Sequence, residues 1–160
     1  MMNHANLVKA MIEYENECEP RIGHFLKVFG YAKAIGELEQ LDPKTQFILE
    51  TAALMHDVGI KESLIKYSNS IGENQEKEGA IIARPMLEAL GYAEFDIDRV
   101  CFLIANHHTY DKIEGLDYQI LVEADFLVNC ANMAEERRDG FVKLFKTEAG
   151  KGFLKTIYGL

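Results

Sequence analysis

Two histidines and two aspartates with the chemistry of metal ligands lie in stretches that otherwise read as protein interior. His24 lies in RIGHFLKVFGYAKAI, His56 and Asp57 interrupt the apolar run LMHDVGI, and Asp125 lies in ILVEADFLV. An ionised carboxylate that faces a core is costly unless it is paired or bound to a metal, and even an unsatisfied neutral polar group costs roughly 1–3 kcal/mol. A shared cation would satisfy all four side chains, and mixed imidazole and carboxylate ligands suit Fe, Mn, Zn, Ni or Co.

Each of these residues also has an ordinary structural explanation when it is taken alone. A single core histidine is usually satisfied by a neighbouring hydrogen-bond partner, and a core aspartate by a helix cap or an arginine. The residue types alone therefore leave a metal site and a purely structural role both open.

Helical periodicity places three of the four residues on apolar stripes of three different helices, and Asp57 can turn inward where its helix ends. The stripes consist of His24, Val28, Tyr31, Ile35 and Leu38; of Leu49, Ala52, Ala53 and His56; and of Leu121, Asp125, Val128 and Asn132. We therefore expect the four polar side chains to meet at one point in the core.

The elements that would position these residues are helical throughout. Strand-like alternation is scarce and no heptad persists, which predicts an all-α, irregular single-domain helical bundle rather than a coiled coil. Helices are predicted over residues 6–17, 21–39, 43–56, 75–90, 96–108 and 117–136. Residues 61–74 form the least regular segment, in which KYSNSIGEN, residues 66–74, is predicted to be a loop. Two short amphipathic pieces, FVKLFK and GFLKTIY, follow in the tail.

A few residues mark where these helices begin, end or bend. Asp42 followed by Pro43 predicts a helix start, with the carboxylate as N-cap and the proline at the first helical position. Gly91 is expected to be the residue that closes the helix over residues 75–90. Pro85 lies inside that helix and predicts a kink or a local break.

Length and composition bound the classes of function. The chain has 160 residues, 48% of them hydrophobic, which suits one globular domain over residues 1–160. Its formal net charge is −9, from 17 basic and 26 acidic residues, so stable binding to nucleic acid is not expected. No run approaches the ~20 apolar residues of a membrane span and no secretory signal opens the chain, which favours a cytoplasmic protein without membrane contact.

The cysteines and the C-terminal tail carry no predicted chemistry. Cys18, Cys101 and Cys130 are far apart, odd in number and without a CxxC pair, so we interpret them as reduced, packed thiols. Over residues 140–160, lysines are interleaved with phenylalanines, which is also seen in nucleic-acid or membrane contacts. We favour an amphipathic cap that packs on the bundle.

The ordered set of His24, His56–Asp57 and Asp125 resembles the H…HD…D signature of the HD superfamily of metal-dependent phosphohydrolases. The surrounding blocks ILETAALMHDVGI, GAIIARPMLEALGY, IANHHTYD and ILVEADFLV resemble that superfamily as well, over about residues 20–130. The resemblance implies an HD-type bundle in which the four residues hold one divalent metal ion. It also implies that a metal-activated water hydrolyses a phosphate ester of a small phosphorylated or nucleotide-type substrate. We expect the protein to be a monomer or a homodimer.

Two departures from the family pattern limit what the resemblance implies. Two-metal members carry a histidine shortly before the Gly-Ala of the following helix, and Gln75 occupies the closest position here, which argues against a second metal. His107 or His108 could still reach a second cation. Nucleotidase-like members place a glutamate where this chain has Ile60, so their mechanism is not carried over. The metal, whether Mn, Fe, Ni, Zn, Co or Mg, stays open.

The remaining candidate residues surround this centre. The candidate catalytic residues are Asp57, His107 and His108, and the candidate substrate-binding residues are Arg21, Lys61, Gln75, His107 and His108. Adjacent side chains on a helix diverge by about 100°, so we expect one of the two histidines to face the site. The helix dipole would also favour histidines at a helix C-terminus, and Lys61 could simply be solvated.

The sequence therefore predicts a metal-dependent phosphoric ester hydrolase, with phosphomonoesterase and phosphodiesterase activity not distinguished. The alternative is a catalytically weak or inactive metal-containing module that binds or senses nucleotides. Iron-dependent oxidation on a similar bundle is a further alternative, but it generally needs a second metal, and Gln75 argues against one. A purely structural bundle would hold no metal.

Overall fold

The computed structural model describes residues 4–160, which form a bundle of α-helices without a β-strand in that range. The helices are α1 (Ala5–Glu15), α2 (Glu19–Leu38), α3 (Pro43–Met55), α4 (Ile60–Tyr67), α5 (Gly72–Ala89), α6 (Glu94–Ile104), α7 (Leu116–Asn129), α8 (Glu135–Val142) and α9 (Glu148–Tyr158). Short 3-10 turns occur at Tyr110–Lys112 and Cys130–Asn132. The predicted all-α bundle is confirmed, and residues 1–3 of the predicted domain lie outside the described residues.

Helices α2, α3 and α7 form the centre of the bundle. Helix α2 packs against both α3 and α7, and α3 also packs against α6 and α7. The fully buried apolar side chains of these three helices include Val28, Ala32, Ile35, Leu49, Ala52, Ala53, Ile120, Leu121 and Leu127. A polar group on their inner faces must therefore be satisfied by another group of the protein or by something bound inside it.

The start of α3 follows the predicted signal. The Asp42 carboxylate accepts hydrogen bonds from the backbone N–H groups of Lys44 and Thr45, each at 3.0 Å, and Pro43 is the first residue of the helix. A cap of this kind stabilises a helix by about 1 kcal/mol. The prediction is confirmed, and it could be made from the sequence because the interaction involves only neighbouring residues.

The end of α5 confirms the prediction for Gly91, and the helix excludes the local break that was one of the two alternatives for Pro85, whereas the kink stays a prediction. Gly91 has a φ of +79°, its N–H donates to the Glu88 carbonyl, and the N–H of Tyr92 donates to the Leu87 carbonyl. This is the Schellman arrangement, which favours glycine at this position. The helix continues through Pro85 to its end, so no local break occurs there. Packing of α5 against α6 supports the turn that lacks the proline's hydrogen bond.

The predicted loop over residues 66–74 is too long, because residues 68–71 connect two helices, and the helix over residues 60–67 was not predicted. Helix α4 spans Ile60–Tyr67, and α5 begins at Gly72. The polar side chains of α4 pair with α5: the Lys66 ammonium and the Tyr67 hydroxyl each donate to a Glu78 carboxylate oxygen at 2.8 Å. The apolar residues Ile60, Leu64 and Tyr67 recur at helical spacing, but eight residues are too few for a stable helix without tertiary contacts of this kind.

A close approach of two backbones joins the start of α4 to α5. A Cβ atom at Gly59 would lie 2.0 Å from the Gln75 carbonyl oxygen and 2.5 Å from the Gly79 nitrogen. Gly79 is confined in the same way, since a Cβ atom there would lie 2.7 Å from the Ile104 side chain. The two glycines therefore allow the helix crossing that fixes the chain just after Asp57.

Two further helices are shorter than the sequence indicated. The predicted helix over residues 96–108 is α6, which ends early, and residues 105–108 form turns instead. The predicted helix over residues 117–136 corresponds to α7, which ends at Asn129, and a 3-10 turn separates it from α8. After that turn, the Arg138 guanidinium donates to the Cys130 carbonyl at 2.8 Å, which satisfies an acceptor that a continuous helix would have used.

A buried carboxylate on α7 holds the start of α9. Glu123 is fully buried and accepts hydrogen bonds from the backbone N–H of Lys146 at 2.7 Å, from that of Thr147 at 3.0 Å and from the Thr147 hydroxyl. Thr147 in turn caps α9, since its hydroxyl accepts from the N–H of Gly150 at 2.9 Å. Helix α9 therefore packs against α7 and α2 from a fixed starting point.

The cysteines are free thiols. Cys101 and Cys130 are buried, and burial raises the pKa of both thiols, which disfavours the reactive thiolate at neutral pH.

No helix of the described range combines the length and the apolar character needed to cross a membrane.

Candidate metal centre

Five of the predicted residues meet at the centre of the bundle. His24 lies within α2 and Asp125 within α7, whereas His56 and Asp57 follow the last residue of α3 and His107 lies in the turn after α6. Because α3 stops just before this pair, Asp57 is not held to the helical spacing that would direct it away from His56. The end of a helix therefore lets two adjacent side chains face the same point.

The nitrogen and oxygen atoms of these side chains converge. Nε2 of His24 lies 3.2 Å from Nε2 of His56 and 3.1 Å from Oδ1 of Asp125. Oδ2 of Asp57 lies 3.3 Å from the Nε2 atom of each histidine, and Nε2 of His56 lies 3.4 Å from Oδ1 of Asp125. Ligand atoms about 2.1 Å from one ion are about 3.0–3.4 Å apart across an octahedral or tetrahedral edge, so this spacing fits a shared cation.

Backbone carbonyls orient the two histidines that follow helix ends. Nδ1 of His56 lies 2.9 Å from the Ala53 carbonyl oxygen, and Nδ1 of His107 lies 2.8 Å from the Ile104 carbonyl oxygen. Since a carbonyl only accepts, both Nδ1 atoms carry a proton. In the neutral ring this leaves the lone pair on Nε2, the atom that faces the centre, as metal-ligating histidines require.

A second group of ligand atoms shares Asp57 with the first. Ligand atoms of His24, His56 and Asp57 lie within 4.8 Å of one another, and so do ligand atoms of Asp57, His107 and His108. The Nε2 atoms of His107 and His108 are buried, and no atom of residues 4–160 forms a hydrogen bond with them. A buried polar atom without a partner costs about 1–3 kcal/mol, so both atoms are suited to a metal ion, a water or a substrate group.

Both histidines of the pair lie beside the centre, whereas the sequence predicted that one would. That prediction assumed that the pair belongs to a helix, but α6 ends at Ile104 and the pair lies in the following turn. The two rings pack at a centroid distance of 4.0 Å, and Nδ1 of His108 lies 3.3 Å from the Tyr110 hydroxyl. The turn, rather than helical periodicity, sets the direction of each ring.

Burial and ion pairing together set the charges of the metal-free centre. Burial lowers the pKa of His56, but Asp57 and Asp125 outweigh it and leave this pKa well above 6.5. Burial raises the pKa of Asp57 and of Asp125, but the neighbouring histidines outweigh it and leave both values well below 3.8. Burial and the nearby His107 lower the pKa of His108 to about 4. At neutral pH the centre therefore holds two carboxylates, a protonated His56 and a neutral His108.

The contacts described for the other predicted substrate-binding residues lie away from these ligand atoms. Arg21 donates from Nε to Glu15 at 2.5 Å, and the Lys61 ammonium donates to the Tyr14 carbonyl at 2.7 Å and lies over the Tyr14 ring. Both residues therefore hold the C-terminal end of α1. Gln75 donates to a carbonyl of the α4–α5 loop at 3.2 Å, and its buried Oε1 atom has no hydrogen-bond partner within residues 4–160.

The sequence analysis missed one side chain that acts on the centre. The side-chain amide of Asn129 donates to Oδ1 of Asp125 at 3.0 Å, which orients that carboxylate. Asn129 lies four residues after Asp125, the spacing that places two side chains on one helix face, so periodicity could have identified it. The carbonyl contacts of His56 and His107 left no comparable signal, because they depend on where the helices end.

The centre opens to the surface along α2. The side chains of His24 and Asp57 are 19% and 21% exposed. A pocket of 230 Å³ lies between α2 and the end of α7, and its lining consists of Glu19, Pro20, Gly23, His24, Lys27, Val128 and Asn132. A small molecule can therefore reach the His24 side of the centre from solvent.

Comparisons with known proteins identify the family and the fold of this chain. The family model for the HD domain matches residues 21–144. A crystal structure at 1.45 Å resolution of a predicted HD superfamily hydrolase from an uncultured Thermotogales bacterium superposes with a TM-score of 0.72 at 22% identity. That match covers 98% of this chain and 86% of the other, and at this identity it shows the fold alone. A search of curated proteins found no match. The resemblance carried by the H…HD…D signature is confirmed by the family match.

Proposed function

We propose that this chain, which belongs to the HD domain family, is a metal-dependent phosphohydrolase that acts on a small phosphorylated or nucleotide-type substrate. The observation that carries the proposal is the convergence of two histidines and two aspartates from three parts of the bundle. Their imidazole nitrogens lie 3.1–3.4 Å from the carboxylate oxygens, which supports a shared cation.

His24, His56, Asp57 and Asp125 would hold one divalent cation. When bound, such a cation neutralises charge on the phosphoryl oxygens and lowers the pKa of a water. The two carboxylates stay ionised at neutral pH, because their pKa values lie well below 3.8, and so they retain the negative charge that a cation needs. Asn129 holds the Asp125 carboxylate in place at 3.0 Å.

We assign charge stabilisation and proton transfer to His107 and His108. Nε2 of His107 lies 3.5 Å from Oδ1 of Asp57, and within residues 4–160 neither ring's buried Nε2 atom has a partner that meets hydrogen-bond geometry. Each ring is therefore able to contact a phosphate oxygen or a water. His108 is neutral at pH 7, since its pKa is lowered to about 4, so one of its nitrogens can accept a proton. Asp57 has ligand atoms within 4.8 Å of this pair and also of His24 and His56.

The proposal predicts phosphate release that depends on one divalent cation per chain. The assay uses phosphomonoesters, cyclic dinucleotides and nucleotides as substrates, together with elemental analysis of the purified protein. Chelation is expected to remove the activity, because the charge on the phosphoryl oxygens is then no longer neutralised, and added Mn²⁺ is expected to restore it. Activity that survives complete chelation would contradict the mechanism. Two equivalents of metal would instead place a second cation between Asp57, His107 and His108.

A metal-containing module that binds nucleotides without turnover is the second candidate. It is favoured by Gln75, which stands where two-metal relatives carry a histidine and whose Oε1 atom is buried without a hydrogen-bond partner in the described range. Such a module would bind nucleotides in calorimetry and release no phosphate during long incubation at high protein concentration. Detectable turnover under those conditions excludes it.

Metal binding is expected to release a proton and to weaken as the pH falls. The pKa of His56 in the metal-free protein lies well above 6.5, so at neutral pH the ring is protonated, whereas a metal-bound histidine must be neutral. Affinity should therefore rise with pH, by up to about tenfold per unit, and become constant above the pKa of His56. Calorimetric titration with Mn²⁺ in buffers of different ionisation enthalpy measures the protons released. Release of none near pH 7 would show that His56 is already neutral or is not a ligand.

A further inference from the structure

The pocket beside His24 is the inner end of a longer groove along α2. A second pocket, of 410 Å³, shares Lys27, Val128 and Asn132 with it, and a third pocket, of 400 Å³, shares Lys27 and Tyr31 with the second. We call this surface the α2 groove, lined among others by His24, Lys27, Tyr31, Val128, Asn132 and Phe153. It runs from the candidate metal centre toward α9.

Lys27 is the cationic side chain in the middle of this groove. It lines all three pockets and follows His24 by three residues, which is about 4.5 Å along the helix axis. Some lysines elsewhere pair with acidic side chains, as Lys33 does with Glu50 and Lys66 with Glu78. For the exposed Lys27 no such pair is described within residues 4–160. In a chain with 26 acidic and 17 basic residues, a free ammonium this close to the centre is suited to an anion.

Acidic side chains do not oppose Lys27 on the outer side of the groove. Glu19 lines the inner pocket, but it precedes Lys27 by eight residues, about 12 Å along the axis of α2. It lies over Gly23, where a Cβ atom would be 3.1 Å from Oε1 of Glu19. The linings of the two outer pockets contain no carboxylate. An anionic group bound at Lys27 therefore meets no carboxylate from the outer pockets, and the acidic side chains lie toward the inner end of the groove.

The outer end of the groove is aromatic. The rings of Tyr31 and Phe153 lie with centroids 6.3 Å apart, and Tyr158 lines the same region. The Tyr158 hydroxyl donates to the Leu127 carbonyl at 2.6 Å, which fixes that ring against α7. Half-buried aromatic side chains present flat apolar surface to a planar ring. Tyr31 follows His24 by seven residues, about 10 Å along the helix axis.

We propose that the α2 groove is a substrate subsite for a nucleotide with at least two phosphate groups, in which Lys27 binds the second phosphate and the Tyr31–Phe153 end packs against the base. This inference rests on the proposed function in one respect, since it places the terminal phosphate at the His24 end. The spacing of the three features along α2 matches the order of the groups in such a molecule: terminal phosphate, inner phosphate and ring.

Equilibrium binding to the metal-loaded full chain tests the subsite without requiring turnover. The ligands are a nucleoside monophosphate, a methylene-bridged nucleoside diphosphate and inorganic pyrophosphate, measured by calorimetry. Lys27→Met is expected to weaken binding of the diphosphate and of pyrophosphate by about tenfold, because one charge-assisted contact is lost, and to change monophosphate binding less than about twofold. Phe153→Leu is expected to weaken both nucleotides by about threefold and to leave pyrophosphate unchanged.

Lys155→Met is the matched control, since Lys155 is exposed on α9 and lines none of these pockets. Unchanged metal content and helical circular dichroism establish that each variant is folded. Diphosphate binding that is equal in wild type and Lys27→Met, or equally weakened by Lys155→Met, overturns the inference. Lys27-dependent binding without hydrolysis by the wild type would defeat the proposed function and leave the subsite standing. If wild type and Lys27→Met hydrolyse the unmodified diphosphate equally well, the proposed function stands and the subsite is overturned.

Discussion

Replacing Asp57 by asparagine is expected to remove the bound metal ion and to lower phosphate-ester hydrolysis by about 10³-fold. Asp57 is the residue that both groups of ligand atoms share: one carboxylate oxygen lies 3.3 Å from His24 and from His56, and the other lies 3.5 Å from His107. The substitution keeps the shape of the side chain and removes the negative charge that attracts a cation. Elemental analysis and phosphate release measure the two effects.

A matched substitution separates loss of the centre from loss of surface charge. Asp139→Asn makes the same chemical change on α8, where the side chain is exposed, and it is expected to leave metal content and activity unchanged. Circular dichroism should show that both variants remain helical. Full metal occupancy in the Asp57 variant would mean that this carboxylate is not a ligand, and the assignment of the centre would then be wrong.

Replacing Gly59 by alanine is expected to destabilise the fold by about 3 kcal/mol. The new Cβ atom would lie 2.0 Å from the Gln75 carbonyl oxygen and within 2.5–2.9 Å of the Gly79 backbone, and backbone atoms cannot swing aside as the end of a side chain can. Helices α4 and α5 would have to separate. In a chain of this length such a loss corresponds to a melting temperature lower by about 6–12 °C.

Thermal unfolding of the metal-free protein measures this effect separately from metal binding. Gly152→Ala is the control, because Gly152 lies within α9 and a Cβ atom there meets nothing within 4 Å. That variant should be unchanged or more stable by up to about 1 kcal/mol, since alanine favours helix over glycine. An equal response of the two variants would show that the crossing of α4 and α5 is not tightly packed.

Features that depend on a few neighbouring residues could be predicted from the sequence. The cap by Asp42 and the closure at Gly91 follow from local hydrogen bonding and from the positive φ that glycine allows. Helix α4 was missed, because it is only eight residues long and its polar residues are held by Glu78 on another helix. The end of α6 at Ile104 was missed for the same reason, since periodicity does not locate a helix end that lacks a glycine or proline signal.

The residues of the candidate centre likewise include some that the sequence could identify and others whose contacts it could not. His24, His56 and Asp125 were found because each shares an apolar helix face, and helices that share a core direct those faces toward one another. The contacts of Arg21 with Glu15 and of Lys61 with Tyr14 were not foreseen. The sequence shows that Arg21 and Lys61 are cationic and lie near signature residues, but their partners depend on how α1 packs against α2 and α4.

The order in which the polypeptide is synthesised has a consequence for metal loading. His24 and Asp125 touch at 3.1 Å although 101 positions separate them, so the ribosome delivers the second ligand helix roughly 5–20 s after the first. Further donors to the buried Glu123 of α7 arrive later still, in residues 146–147. Until they emerge, the donor described for this carboxylate is the side-chain amide of Gln119 on the same helix, at 2.8 Å, so docking of α7 would bury an incompletely satisfied carboxylate, which is unfavourable. We therefore expect the cation to enter after translation, into a bundle that is already assembled, and the nascent chain to compete poorly for cellular metal.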